Sequence, residues 1–194
     1  MIQLINVCKS YGEVKVFENL NISFEYGSRT AIMGPSGCGK TTLFMILASL
    51  LKTDSGKITG LDGKKISAVF QEDRLCENLS LFANIKIVCK NNVRRGEILS
   101  AIESLHLGEF ADKPIKKLSG GMKRRAAIIR ALLADYDILL LDEPFNGLDD
   151  ASKQFTADFI LRMCKNRTLI MITHNKNDAE LLGCSIFNFK SLIA

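Results

Sequence analysis

Gly34-Pro35-Ser36-Gly37-Cys38-Gly39-Lys40-Thr41 follows the short apolar run Thr30–Met33 and opens Lys40–Leu51, a stretch that reads as a helix. Strand, glycine-rich loop and helix in that order form a cradle for phosphate. Glycines let backbone N–H groups curl around phosphate oxygens, and the N-terminus of the helix adds partial positive charge. In the pattern G-x-x-x-x-G-K-[ST], Lys40 reaches the β- and γ-phosphates and Thr41 offers its hydroxyl to Mg²⁺. All eight residues of this loop, with the adjoining Thr42, are the expected nucleotide-binding set.

Outward from the loop, strands alternate with helices, the pattern of an α/β fold with a mainly parallel sheet. Ile2–Cys8 and Lys15–Phe24 read as strands turning at Tyr11-Gly12. Ser55-Gly56 and Asp62-Gly63 read as glycine turns between short strands that end at Val69-Phe70. From about Glu72 to Asp135 the pattern becomes helical, as in an inserted helical subdomain. Ile98, Leu99, Ile102 and Leu105 recur at helical spacing in a helix closed by Pro114, and Met122 to Leu133 forms another. Strands resume at Ile138–Leu141, Leu169–Thr173 and Ile186–Phe189. Phe155, Phe159 and Met163 mark the apolar stripe of a covering helix.

Composition bounds the function. The 194 residues, 47% hydrophobic and 24% charged, suit one globular domain spanning 1–194 and exclude a disordered chain. A net charge of +5 is too mild to point to nucleic acid, and none is expected as a partner. The longest apolar stretch is Leu43 to Leu51, well short of the about 20 residues a membrane span needs. The N-terminus lacks the basic start and long apolar region of a secretory signal. The six cysteines are scattered, with no C-x-x-C pair, which suits reduced thiols in a cytoplasm rather than a zinc site.

Ile138-Leu139-Leu140-Leu141-Asp142-Glu143 carries an apolar strand into two carboxylates. A strand buried on both faces delivers Asp142 to the C-terminal edge of the sheet, where it can hold Mg²⁺ through water. Glu143, one residue on, can polarise an attacking water. Leu118-Ser119-Gly120-Gly121-Met122 opens a helix and offers free N–H groups and a hydroxyl, a second anion site.

With that element the chain resembles the ATP-binding-cassette (ABC) ATPases, whose signature LSGGQ precedes a basic helix. The resemblance covers essentially the whole chain and implies a P-loop fold with a small antiparallel β-subdomain. It implies ATP and Mg²⁺ as cofactors, and a homodimer, or a heterodimer with another such ATPase, formed on ATP binding. In that dimer Ser119, Gly120 and Gly121 close over ATP held by the partner's loop. Tyr11 then stacks on adenine, Gln71 senses Mg²⁺ and water, Asp149 crosses the dimer interface, and His174 contacts the γ-phosphate. Lys40, Gln71, Glu143 and His174 form the implied catalytic set, and Thr41, Gln71 and Asp142 the metal set. His106 has no motif around it and reads as a helix-surface residue.

The departures narrow the branch. Met122 in place of glutamine, and Glu72-Asp73-Arg74-Leu75 after Gln71, resemble the nitrate, sulfonate and taurine importers, although Cys76-Glu77-Asn78 stands where that branch often has Pro-Trp. Only 15 positions separate Gly56 from Gln71, a contracted β-subdomain, and 20 residues after His174 leave no room for an appended regulatory domain. The implied role is the ATPase subunit of an importer of a small solute such as an anion, sulfonate or related nutrient. It would be cytoplasmic, peripheral on the inner face of the cell membrane, and paired with integral membrane permease subunits from other chains. A regulatory cassette on a soluble partner is the alternative; a P-loop kinase would need neither Ser-Gly-Gly nor His174. Lys113, Lys116, Lys117, Lys123, Arg124, Arg125 and Arg130 crowd the signature and read by default as a solvated face.

Overall fold

The computed structural model describes residues 1–189. A hairpin of β1 (Ile2–Tyr11) and β2 (Val14–Phe24) leads through β3 (Arg29–Met33) and the glycine loop to α1 (Lys40–Leu47), β4 (Ser55–Thr59) and β5 (Ile66–Val69). Three helices follow, α2 (Leu81–Lys86), α3 (Arg95–Ser104) and α4 (Gly120–Leu133). Then come β6 (Ile138–Asp142), α5 (Asp150–Met163), β7 (Thr168–Ile172), α6 (Lys176–Leu181) and β8 (Ser185–Asn188).

Five strands form one parallel sheet in the order β5-β6-β7-β3-β8, and β2-β1-β4 form a separate antiparallel sheet. β6 and β7 are buried at every position, as expected for continuous apolar strands covered on both faces. The two-residue side-chain period divides their core. Leu139, Leu141, Leu169 and Met171 pack with Ile85, Ile102, Ile128 and Ile160 on the face covered by α2 to α5. Ile138, Leu140, Ile170 and Ile172 pack with Leu43, Phe44 and Leu47 of α1 and with Phe17 and Phe24 of the antiparallel sheet. The site loops leave this sheet at the C-terminal ends of β3, β5, β6 and β7.

Four local expectations need correction. The helix expected to reach Leu51 ends at Leu47, because Ser49 turns left-handed (φ 59°) and Leu50 is left 55% exposed. Ser55-Gly56 is no turn but the start of β4. Gly56 (φ +89°) crosses β1 at a register shift, where an added Cβ would sit 2.4 Å from the Asn6 carbonyl oxygen. Pro114 does not close the helix of Ile98 and Ile102, which stops at Ser104; it bridges Ser80 ahead of the short 3-10 turn Ile115–Lys117. His106 lies off that helix in the left-handed turn after it (φ 54°), its ring edge-on to Phe155 at 4.7 Å.

Candidate active site

The glycine loop is held by its own lysine. Lys40 Nζ donates to the carbonyl oxygens of Gly34 (2.7 Å) and Pro35 (2.8 Å) and lies 3.8 Å from Cys38 Sγ. Gly39 caps α1 in a left-handed conformation (φ 97°), where a Cβ would meet Phe17 and Val16 at 2.7 Å. The chain can pass so close to β2 only without a side chain. Above the loop opens a cleft of ≈ 420 Å³ lined by Gly34, Ser36, Gly37, Gly39, Lys40, Thr41 and Thr42 on one side and by Gln71, Asp142, Glu143 and His174 on the other. Pro35 and Cys38 do not line it; Cys38 packs against the core around Phe17.

The end of β6 supplies the carboxylates. Asp142 is 5% exposed, and burial followed by the charge of Glu143 pushes its carboxyl up to about 6, opposed by Arg124 and Lys40. Glu143 takes a left-handed backbone (φ 46°), uncommon for a residue with a side chain and a mark of a functional turn. Its N–H donates to the Ile172 carbonyl at 2.9 Å. Its carboxylate accepts from the Thr173 hydroxyl (3.1 Å) and the His174 N–H (3.0 Å), and lies 2.8 Å from His174 Nδ1.

A second cluster forms away from the cleft. Ser119 caps α4, its hydroxyl accepting from the Met122 N–H at 3.4 Å. Asp149 caps α5, accepting from Ser152 N–H at 2.8 Å and Ser152 hydroxyl at 3.2 Å, and those bonds hold its carboxyl below the usual range. The two caps adjoin, since a Cβ on Gly121 would meet the Gly147 carbonyl at 3.2 Å. Neither Ser119, Gly120, Gly121, Asp149 nor Tyr11 lines the cleft of its own chain. Tyr11 ends β1 with 53% of its surface exposed, under the ammonium of Lys9.

The family model described as ABC transporter matches residues 17–146. The chain belongs to the ABC transporter ATPase family. Among curated relatives of this cassette is the aliphatic sulfonates import ATP-binding protein SsuB of Bacillus cereus, 37% identical over 186 residues, 90% of this chain and 74% of that protein. The taurine import ATP-binding protein TauB of Ruegeria pomeroyi is 33% identical over 184 residues, 88% of this chain and 68% of its own. The dimeric structure of a bacterial ABC transporter cassette, MJ0796, superposes with a TM-score of 0.85 at 27% identity, covering 97% of this chain and 95% of that one. A post-hydrolysis state of the same cassette, bound to ADP and Pi, gives 0.85 at 29% identity, with 97% and 94% covered.

The donors of the ABC cleft suit Mg²⁺–ATP. A buried carboxylate at Asp142, the Thr41 hydroxyl and the Gln71 amide are oxygen donors, the class that Mg²⁺ takes, beside an ammonium and glycine N–H groups for phosphate.

The basic cluster near the signature needs the largest revision. Lys113, Lys116 and Lys117 are solvated, but Arg124 is 4% exposed. Arg125 donates to the Leu105 carbonyl at 2.8 Å, and Arg130 donates to those of Arg74 (2.8 Å) and Asp73 (3.1 Å). Charge alone suggested a wet face. The spacing said otherwise, because Ala127, Ile128 and Ala131 put Arg124 on the apolar stripe of α4. Thr173 and Asn146 were also missed; Thr173 orients Glu143, and Asn146 lines the cleft.

Proposed function

We propose that this cassette hydrolyses ATP to drive import of a small organic anion, with alkyl sulfonates the leading class. Its relatives carry sulfonate or taurine import in their names, and Met122 and the acidic residues after Gln71 resemble that branch. Among the described residues no helix is long and apolar enough to cross a membrane. Translocation would fall to permease subunits, the partners of import ATP-binding subunits such as those it resembles. The cassette would work at the cytoplasmic face of the cell membrane.

The observation that carries the catalytic reading is the Glu143 carboxylate, held by Thr173 and His174 across the cleft from Lys40. Glu143 takes a proton from water as the water oxygen bonds to the γ-phosphorus and the bond to the ADP oxygen breaks. Lys40 leaves the carbonyls of Gly34 and Pro35 to hold the β- and γ-phosphates, and His174 lies beside Glu143 to contact the γ-phosphate. Thr41, Gln71 and Asp142 would hold Mg²⁺, which supplies charge neutralisation on the phosphates. Ser119, Gly120, Gly121 and Asp149 serve the partner's ATP, and Tyr11 stacks on adenine.

The test is isolation of the tagged cassette from native membranes, followed by ATPase assay of the complex in vesicles. A co-purifying permease whose ATPase rises with alkyl sulfonates is expected. A soluble partner in place of a permease would overturn the transport reading, and stimulation by unrelated solutes alone would overturn the substrate class.

A further inference from the structure

We infer that Arg124 is a positioning residue whose guanidinium fastens the Phe70–Gln71 segment to the Asp142–Pro144 turn, a role that rests on the water- and metal-binding reading of Gln71 and Glu143. The parallel ladder between β5 and β6 ends at Val69 and Leu141. One and two steps further the register would set Phe70 beside Asp142 and Gln71 beside Glu143, yet there the chains part to make the two walls of the cleft. Carbonyl groups at such a fork lose their ladder partners.

Arg124 takes their place. It reaches the fork from α4, five residues after the Ser119 cap. One terminal nitrogen donates to the Phe70 carbonyl, to that of Gln71 at 3.4 Å and to Asp73 Oδ1 at 3.2 Å. The other donates to the Asp142 carbonyl and to that of Glu143 at 2.6 Å, while Nε donates to Pro144 at 3.2 Å. A guanidinium has five N–H groups in a rigid fork, and here every one is used. Burying that charge is costly unless all its donors are taken, even with Asp73 in contact and the carboxylates of Asp142 and Glu143 nearby, so the side chain and the fork hold each other in one geometry. Two of the carbonyls belong to Gln71 and to the left-handed Glu143. The same side chain therefore sets the spacing between the two walls and ties both to the helix that begins at the signature.

A lysine has three donors at one point and cannot span both walls. The test compares Arg124→Lys and Arg124→Met, which keep the stem and fold if either does, with Glu143→Gln measured alongside. Affinity for ATP measured without Mg²⁺ should stay within about threefold of wild type, because none of the hydrogen bonds of Arg124 goes to the glycine loop. Turnover per ATP-binding site should fall by about 10²-fold in Arg124→Met and less in Arg124→Lys, as for misplaced reacting groups. Amide exchange should quicken at 70–75 and 143–146 and stay unchanged in β3 and α1. Uniformly faster exchange with parallel loss of ATP binding would mean a structural role only and overturn the inference. Arg124 variants with wild-type turnover beside an inactive Glu143→Gln overturn the role of Arg124 alone; wild-type turnover in Glu143→Gln overturns the reading of Glu143 beneath it.

Discussion

His174 Nδ1 lies 2.8 Å from Glu143 Oε1, although 31 residues separate the two in the chain. The parallel register that pairs Asp142 with Ile172 brings the ends of β6 and β7 together, and the left-handed turn at Glu143 aims its side chain across the gap. The His174 side chain is 76% exposed while that of Glu143 is 14% exposed. The carboxylate is thus held in place by a residue that itself faces the cleft and solvent.

Replacing Glu143 by glutamine keeps its size and its hydrogen-bond acceptor but removes the base. Turnover should fall by at least about 10²-fold while ATP binding remains. Phosphate release and nucleotide titration measure the two separately. Near-normal turnover would remove Glu143 from the role of base.

Asp142 makes the fold sensitive to pH in the absence of Mg²⁺. Its carboxyl sits at about 6 in the folded chain against 3.8 ordinarily, so the folded state binds the proton more tightly. That contribution to stability is complete below the ordinary value and is lost as pH rises through about 6. Above it, the ionised carboxylate costs up to about 3 kcal/mol. With chelator and no nucleotide, Asp142→Asn should be more stable than wild type near neutral pH, with the advantage shrinking as the solution is acidified. Urea unfolding at several pH values measures this. An advantage that does not change with pH would mean that Asp142 titrates normally.

What the sequence revealed is what local chemistry determines. The glycine loop and the Asp142-Glu143 step announce themselves through contiguous residues and an uninterrupted apolar strand. Gly56 did not, because a left-handed glycine in a bulge has the same local signal as one in a turn, and only β1 across from it tells them apart. Arg124 was hidden by its own charge, and its burial depends on carbonyl groups 18 to 54 residues away. Ser119 and Asp149 were found as positions, yet within one chain they are only helix caps. Their proposed chemistry lies in a second copy.

That second copy gives the next prediction. In the proposed dimer each composite site needs Lys40 from one chain and Ser119 from the other, so Lys40→Ala and Ser119→Arg should each be inactive alone. Mixed together they form heterodimers with one intact site, and activity should return to at most about a quarter of wild type for random pairing in an isologous dimer. Glu143→Gln with saturating Mg²⁺–ATP should also accumulate as a dimer by light scattering. Full activity of Ser119→Arg by itself would break the sandwich.

Cys38 offers a chemical test of the glycine loop. Its sulfur sits 3.8 Å from the Lys40 ammonium and, though it does not line the cleft, belongs to the loop that must wrap phosphate. A bulky adduct there would push Lys40 from its place or distort the loop. The other thiols divide by environment. Burial pushes Cys184 up to about 11 and raises Cys164 and Cys89, which slows their alkylation. Cys8 is lowered by hydrogen bonds from the Ser55 side chain and the Asn19 N–H, and Cys76 is exposed, so both should be labelled, but neither lines the cleft. N-ethylmaleimide should therefore abolish ATPase activity, bound ATP should protect, and Cys38→Ala or Cys38→Ser should remain active and become resistant. Cys8→Ala should be inactivated like wild type, with mass spectrometry following each site. If Cys38→Ala loses activity at the wild-type rate, the sensitive thiol lies elsewhere and the loop does not depend on the space around Cys38.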